Sequence, residues 1–205
     1  MRLGIFGGTF DPVHVGHLLL AEACREQCRL DEVWFVPCGQ PPHKQPDVPA
    51  DGTLRAEMLE LATAGDPGLV VSRIELDRPG TSYTVDTLEQ LAAEDPPREL
   101  FLLLGADAVA DLPDWHRPGR ITDLATLVAV NRAESPPPQL DGTIRCDQVT
   151  MPAIAVSSRD IRERVRTGRS IRRLVPRAVE AYIADRGLYG SHPGDTGEQG
   201  PGVVE

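Results

Sequence analysis

Five consecutive apolar residues, Leu100-Phe101-Leu102-Leu103-Leu104, run without a polar interruption and stop at Gly105. A strand with one wet face would alternate, so this run predicts a strand buried on both faces, as inside a parallel sheet. Residues 124–130 repeat the pattern, and shorter strands are predicted at 2–6, 33–36, 69–76 and 144–149. Helical spacing lies between them. In 15–29, Glu22, Arg25, Glu26 and Arg29 form one polar stripe, leaving Leu19, Leu20, Ala23, Cys24 and Cys28 for a core. In 54–64, Leu54, Met58, Leu61 and Ala62 share a side; 84–94 carries Val85, Leu88, Leu91 and Ala92. Residues 157–167 and 176–186 close the series, with Pro176 at a first helical position and Gly187 as the stop. Strand and helix therefore alternate, which predicts an α/β fold: a doubly wound parallel sheet with a small C-terminal helical segment. Such sheets bind ligands beyond the carboxyl ends of their strands. The expected organisation is one domain over 1–190, Pro-rich loops at 37–52 and 133–142, and a disordered Gly-, Pro- and acid-rich tail at 191–205.

Charge and composition narrow the function classes. A net charge of −10 argues against broad nucleic-acid binding. No apolar run approaches the roughly 20 residues that span a bilayer, and the first eight residues are too short an apolar run for a secretory signal. Cys24, Cys28, Cys38 and Cys146 show no C-x-x-C spacing, so reduced thiols and a cytoplasmic setting are expected.

Gly7-Gly8-Thr9-Phe10-Asp11-Pro12-Val13-His14-Val15-Gly16-His17 joins the first strand to the first helix. Glycines bare main-chain N–H groups, and a helix N-terminus favours an anion such as phosphate. His14 and His17 stand three apart and can share one face, with Gly16 between them leaving space for a ligand. Two imidazoles there suit phosphate oxygens; the alternatives are polar turn residues and, with no clear third ligand and without H-E-x-x-H spacing, metal ligands beside Asp11. The stretch is neither G-x-G-x-x-G nor a P-loop. A second candidate is Ser157-Ser158 ahead of a helix bearing Arg162, a capped N-terminus plus a guanidinium that matches polyphosphate. Residues 81–84 precede another helix, whose N–H groups offer a site for a small carboxylate. Trp115 lies among Pro113, Asp114, His116 and Arg117, which leaves its ring available for stacking, whereas Trp34 belongs in the core. Asp107, after the buried strand, can accept from ribose hydroxyls. His43 and Lys44 in the Pro-rich loop read as a surface charge pair.

Gly8-Thr9-Phe10-Asp11-Pro12 followed by His14-x-Gly16-His17 resembles the nucleotidylyltransferase superfamily signature. The chain up to about Tyr189 resembles the bacterial nicotinate-nucleotide adenylyltransferase family. That resemblance is carried by Pro41-Pro42-His43-Lys44, Arg55 with Met58, Thr81-Ser82-Tyr83-Thr84 with Asp86-Thr87-Leu88, Gly105-Ala106-Asp107 with Trp115, Ser157-Ser158 with Ile161-Arg162, and the C-terminal Leu188-Tyr189. It implies a Rossmann-like nucleotidylyltransferase fold. It also implies adenylyl transfer from ATP to nicotinate mononucleotide, giving deamido-NAD and pyrophosphate. His14, His17 and Arg162 would be catalytic. Gly7, Gly8, Thr9, Phe10, Gly105, Asp107, Ser157 and Ser158 would contact ATP. His43, Lys44, Tyr83, Thr84, Trp115 and Arg132 would contact the acceptor. Mg²⁺ would accompany ATP on its phosphates, with no protein metal site. The family often has Pro-Gly after Arg132, where this chain has Ala133-Glu134, and the superfamily often has Thr at the position of Arg159, whose role stays open. Other readings are a different acceptor (nicotinamide mononucleotide or pantetheine phosphate), a non-catalytic nucleotide sensor, and a Zn-dependent hydrolase.

Overall fold

The computed structural model describes residues 1–39, 50–132 and 146–190, without the side chains of Ala106, Asp107, Arg132 and Cys146. Six strands, β1 (Arg2–Gly8), β2 (Glu32–Pro37), β3 (Leu69–Val71), β4 (Glu99–Gly105), β5 (Ala125–Arg132) and β6 (Cys146–Met151), form one parallel sheet in the order β3-β2-β1-β4-β5-β6. The order reverses between β1 and β4, which opens a crevice beyond their carboxyl ends.

The unbroken apolar run of β4 has the expected cause. Phe101 and Leu103 enter one buried cluster while Leu100, Leu102 and Leu104 enter the other. β2 splits likewise, Val33 and Phe35 to one face and Trp34 and Val36 to the opposite one. α1 (Val15–Gln27), α2 (Gly52–Thr63), α6 (Ser158–Arg166) and α7 (Arg177–Asp185) cover the first face through Ala21, Cys24, Met58, Leu59, Ile161, Val179 and Ile183. α3 (Thr84–Glu94), α4 (Ala106–Asp111) and α5 (Pro118–Leu124) cover the second through Val85, Leu88, Leu91, Val109 and Ile121. The sheet is doubly wound, as expected.

Local chemistry sets the helix ends. Asp51 Oδ1 accepts from the N–H groups of Thr53 (2.8 Å) and Leu54 (3.0 Å) and starts α2. Ser157 Oγ accepts from Asp160 N at 3.1 Å and starts α6, which has Asp160 in its first turn and Arg164 and Arg166 in its last, the signs the macrodipole favours.

Several expectations are corrected. β3 ends at Val71, because 72–76 leaves the sheet. Leu19 is 43% exposed and Leu61 36%, since the buried stripe of α1 runs through Ala21 and Cys24 and that of α2 through Arg55, Ala56, Met58, Leu59 and Thr63. Pro176 is the extended residue before α7 and not its first helical one. Trp34 is half-buried, its indole N–H donating to Glu32 at 2.7 Å and Arg98 lying 5.4 Å over its ring. The loop reading of 40–49 and 133–142 and the tail at 191–205 lie outside the described residues.

Candidate active site

Three elements meet where the strand order reverses. The first is the turn from β1 into α1. Phe10, at φ 52°, sends its ring into the core against Phe6 (5.3 Å between centroids) and Phe35 (5.6 Å) and is 2% exposed. Only its main chain is left for a ligand. The Asp11–Pro12 peptide is cis. His14 precedes α1, and its N–H donates to His17 Nδ1 at 3.2 Å. An N–H can only donate, so His17 Nδ1 is an acceptor and the neutral ring carries its proton on Nε2. The two imidazoles stack at 3.6 Å with planes 18° apart, and Phe10 stands edge-on to His17 at 5.0 Å. Burial pushes His17 well below the usual imidazole range, and His14 adds to that. Gly16 does not open ligand space: a Cβ there would lie 3.0 Å from Val156 Cγ1 and 3.1 Å from His14 Nδ1. Its small size lets α1 approach the segment before α6.

The second element is the start of α6. Ser158 Oγ donates to Pro12 O at 2.9 Å, and Arg162 Nη1 donates to Asp11 O at 2.7 Å. The two phosphate-type sites of the sequence are therefore one structure. Ser158 spends its hydroxyl proton on that join, so what α6 leaves for a ligand is its N-terminal N–H groups and the rest of the Arg162 fork.

The third element is a cavity of about 740 Å³. Gly7 and Gly8 of β1, Cys38 after β2, Leu104 of β4, Tyr83 and Thr84 at the start of α3, and Trp115 with His116 line it. Tyr83 precedes α3 with no side-chain cap, which leaves that helix's first N–H groups to a ligand. The Tyr83 and His116 rings lie 4.4 Å apart. Arg117, at φ 52°, pairs with Asp86 and Glu89 of α3 (both 3.0 Å) and holds the Trp115 segment against that helix.

The structure thus gathers Gly7, Gly8, Tyr83, Thr84 and Trp115 around one cavity, and His14, His17, Ser157, Ser158 and Arg162 around the adjoining turn. Thr9 joins them, its hydroxyl 3.9 Å from Cys38 Sγ. Gly105 ends β4 and precedes α4. The side chains of Asp107 and Arg132 are not described, and His43 and Lys44 lie outside the described residues. Sequence reading missed Arg55 as a structural cation. It is 3% exposed, and it donates to Thr9 O and Cys38 O (2.7 Å each), tying the ends of β1 and β2 together. It also missed Glu75, which is 9% exposed, accepts from Thr87 at 2.9 Å, and has its carboxyl pushed up by burial. A charged residue at a core position of its helix was the signal for Arg55; nothing local marked Glu75.

The cytidylyltransferase-like family matches residues 5–164. A relative from Thermus thermophilus, named a probable nicotinate-nucleotide adenylyltransferase, is 49% identical over 189 residues, covering 92% of this chain and 100% of the relative. One of the same name from Geobacillus kaustophilus is 47% identical over 199 residues, covering 95% and 89%. The chain belongs to the nicotinate-nucleotide adenylyltransferase family. Its fold agrees with that of the Plasmodium falciparum nicotinic acid mononucleotide adenylyltransferase solved with NaAD, at a TM-score of 0.76 and 17% identity over 92% of this chain and 97% of that one. Two of the side-chain atoms in the turn are engaged within the protein: Asp11 Oδ1 accepts from Tyr189 at 2.6 Å, and His17 Nδ1 accepts from His14 N.

The depressed His17 pKa has a consequence for stability. Unfolded His17 takes up a proton near pH 6.5 and the folded ring does so only at lower pH, so the unfolded state binds more protons as pH falls and stability drops. The melting temperature should therefore decline from about pH 7 to about pH 5.5, and less steeply in His17→Asn. Asp11, raised from 3.8 by burial, acts with the opposite sign but titrates in wild type and variant alike, so the difference between the two curves isolates His17. Parallel melting curves for wild type and variant would count against the assignment.

Proposed function

We propose that this chain transfers the adenylyl group of ATP to nicotinate mononucleotide, releasing pyrophosphate and forming deamido-NAD, a step of NAD biosynthesis. The observation that carries the reading is the junction at Gly8. On one side lies a histidine pair joined to the Arg162 helix; on the other, a cavity holding an uncapped helix start and a tryptophan. The relatives matched over most of their length bear the name of this activity.

The 5′-phosphate of nicotinate mononucleotide attacks the α-phosphorus of ATP. The new P–O bond forms in line with the one that breaks, and pyrophosphate leaves with the electron pair. The nucleophile is already ionised at neutral pH, so no general base is needed; positioning and charge stabilisation do the work. His17 donates through Nε2 to the α/β-phosphates, with His14 beside it. Arg162 and the N–H groups after Ser157 hold the leaving pyrophosphate. Gly7, Gly8 and the main chain of Thr9 and Phe10 line the path of ATP; Gly105 and Asp107 serve its ribose side. Trp115 stacks on the pyridine ring, and the N-terminus at Tyr83–Thr84 receives the nicotinate carboxylate. His43, Lys44 and Arg132 attend the acceptor's phosphate. Mg²⁺ would accompany ATP on its phosphates and neutralise part of their charge, with no residue of the chain needed as its ligand. A cytoplasmic setting fits the free thiols of Cys24, Cys28 and Cys38.

The test is pyrophosphate release from ATP and Mg²⁺ with nicotinate or nicotinamide mononucleotide. The acid is preferred by about tenfold or more, since a helix N-terminus favours an anion over a neutral amide. Equal rates would retain adenylyl transfer and overturn the carboxylate role of the α3 start. ATP binding without release for either acceptor would favour a nucleotide sensor.

A further inference from the structure

The turn that carries His14 and His17 is held by four side chains. Arg55 Nη1 donates to Thr9 O at 2.7 Å, Arg162 Nη1 to Asp11 O at 2.7 Å, Ser158 Oγ to Pro12 O at 2.9 Å, and the Tyr189 hydroxyl to Asp11 Oδ1 at 2.6 Å. Arg55 belongs to α2, and Arg162 and Ser158 belong to α6. The fourth comes from beyond α7, 178 positions along the chain.

The end of α7 aims that hydroxyl. Gly187, at φ 59°, terminates the helix, Leu188 N returns to Ile183 O at 3.0 Å, and Tyr189 itself sits at φ 60°. A left-handed aromatic residue is strained backbone, kept only where its surroundings fix it. The Tyr189 ring packs on the first core cluster beside Met58, whose Sδ is 3.9 Å from the hydroxyl. Asp11 is 1% exposed. Its Oδ2 makes no hydrogen bond among the described residues, and Arg162 Nη1 stands 4.0 Å from it. Tyr189 is thus the side chain that orients a buried carboxyl whose main-chain carbonyl, in turn, holds Arg162. Asp11 lies three residues before His14.

We propose that Tyr189 is a positioning residue for the transfer step: by fixing Asp11 it fixes both the turn bearing the two histidines and the direction of the Arg162 guanidinium. It touches no substrate and acts through those residues. The inference rests on the adenylyl-transfer reading above.

Tyr189→Phe deletes one oxygen and keeps the ring in the core. A positioning role predicts that kcat falls about five- to tenfold, the loss of one hydrogen bond felt in the transition state. KM for ATP and for nicotinate mononucleotide should stay within about twofold, because uniform binding is untouched. Tyr182→Phe is the matched control, since it removes the α7 hydroxyl that donates to Glu57, away from the turn, and it leaves kcat unchanged. In an Arg162→Lys background, Tyr189→Phe costs less than it does in the wild type, because one of the groups it positions is already replaced while the histidine turn still depends on it. Unchanged kcat in Tyr189→Phe, an effect confined to KM, or fully additive losses with Arg162→Lys would each overturn the role. Wild-type turnover in the same assay separates the two readings: an active wild type with an equally active variant refutes positioning alone, whereas an inactive wild type refutes the transfer reading and this role with it.

Discussion

His17→Ala lowers kcat by about a hundredfold or more while the protein stays folded, the range seen when one preorganised donor to a developing oxyanion is removed. The geometry explains why so much rests on one ring. His17 Nδ1 is occupied by the His14 N–H at 3.2 Å, which fixes the tautomer and leaves Nε2 as the donor. Phe6 at 5.9 Å and Phe10 at 5.0 Å wall the imidazole, so it does not rotate to spread its hydrogen bond between solvent and substrate. Burial keeps it neutral before ATP arrives, so it begins as a hydrogen-bond donor rather than as a charge that water would screen. The structural loss is smaller. The variant forfeits a bond at the start of α1, worth about 1 kcal/mol for a typical cap, against a total of roughly 5–15 kcal/mol for a domain. Single-turnover rates and circular dichroism on the same sample check both halves. His17→Asn should recover part of the rate, since a carboxamide can accept from His14 N and still donate. Near-wild-type turnover in folded His17→Ala would remove His17 from the mechanism.

The fold was legible where one residue's environment is set by its own strand or helix. The unbroken run of β4 demanded two buried faces, and it sits between β1 and β5 with apolar residues going both ways. The helix at 84–94 matched to the residue because its apolar face and a loop-to-helix change coincide. Legibility failed where a third element decides. Leu19 looked like a core residue until the sheet chose the Ala21–Cys24 stripe of α1. Residues 72–76 looked like strand until the backbone turned toward Glu75, which accepts from Thr87 of α3. In the site, Gly7 to His17 and Ser157 to Arg162 were each readable as anion-binding stretches, since glycines, caps and helix ends act locally. That they form a single structure was not readable, because the bonds joining them run from Ser158 and Arg162 to main-chain carbonyls of Pro12 and Asp11, about 150 residues away. Carbonyl acceptors leave no trace in residue type. The same blindness hid Arg55 and Tyr189, whose partners are Thr9 O, Cys38 O and a carboxylate remote in sequence.

Trp115→Ala raises KM for nicotinate mononucleotide about tenfold to a hundredfold, the usual worth of one aromatic platform under a heterocycle, and shifts KM for ATP less than about threefold. The indole is half-buried, neither sealed in the core nor free in solvent, and it borders the cavity alongside Tyr83 and Thr84. Its segment is fixed from behind: Arg117 bridges Asp86 and Glu89 of α3, and Arg120 reaches Glu89 at 3.1 Å. These pairs are exposed and contribute little to stability. Their effect is to hold the ring and the α3 N-terminus in one frame, and on the proposed reading a pyridine face and its carboxylate would be met together. Because Trp115 also packs on the second core cluster, alanine lowers the melting temperature as well, and the loss must be separated from folding. Trp115→Phe does this, since a smaller ring retains a stacking face and should lie between wild type and alanine in KM. A nicotinamide acceptor, with the same ring and no carboxylate, should lose a similar factor in Trp115→Ala, because stacking does not sense the anion. If KM for ATP rises as much as KM for the acceptor, the ring supports the cavity wall as a whole. The acceptor would then be recognised by the α3 start and the phosphate-binding residues instead.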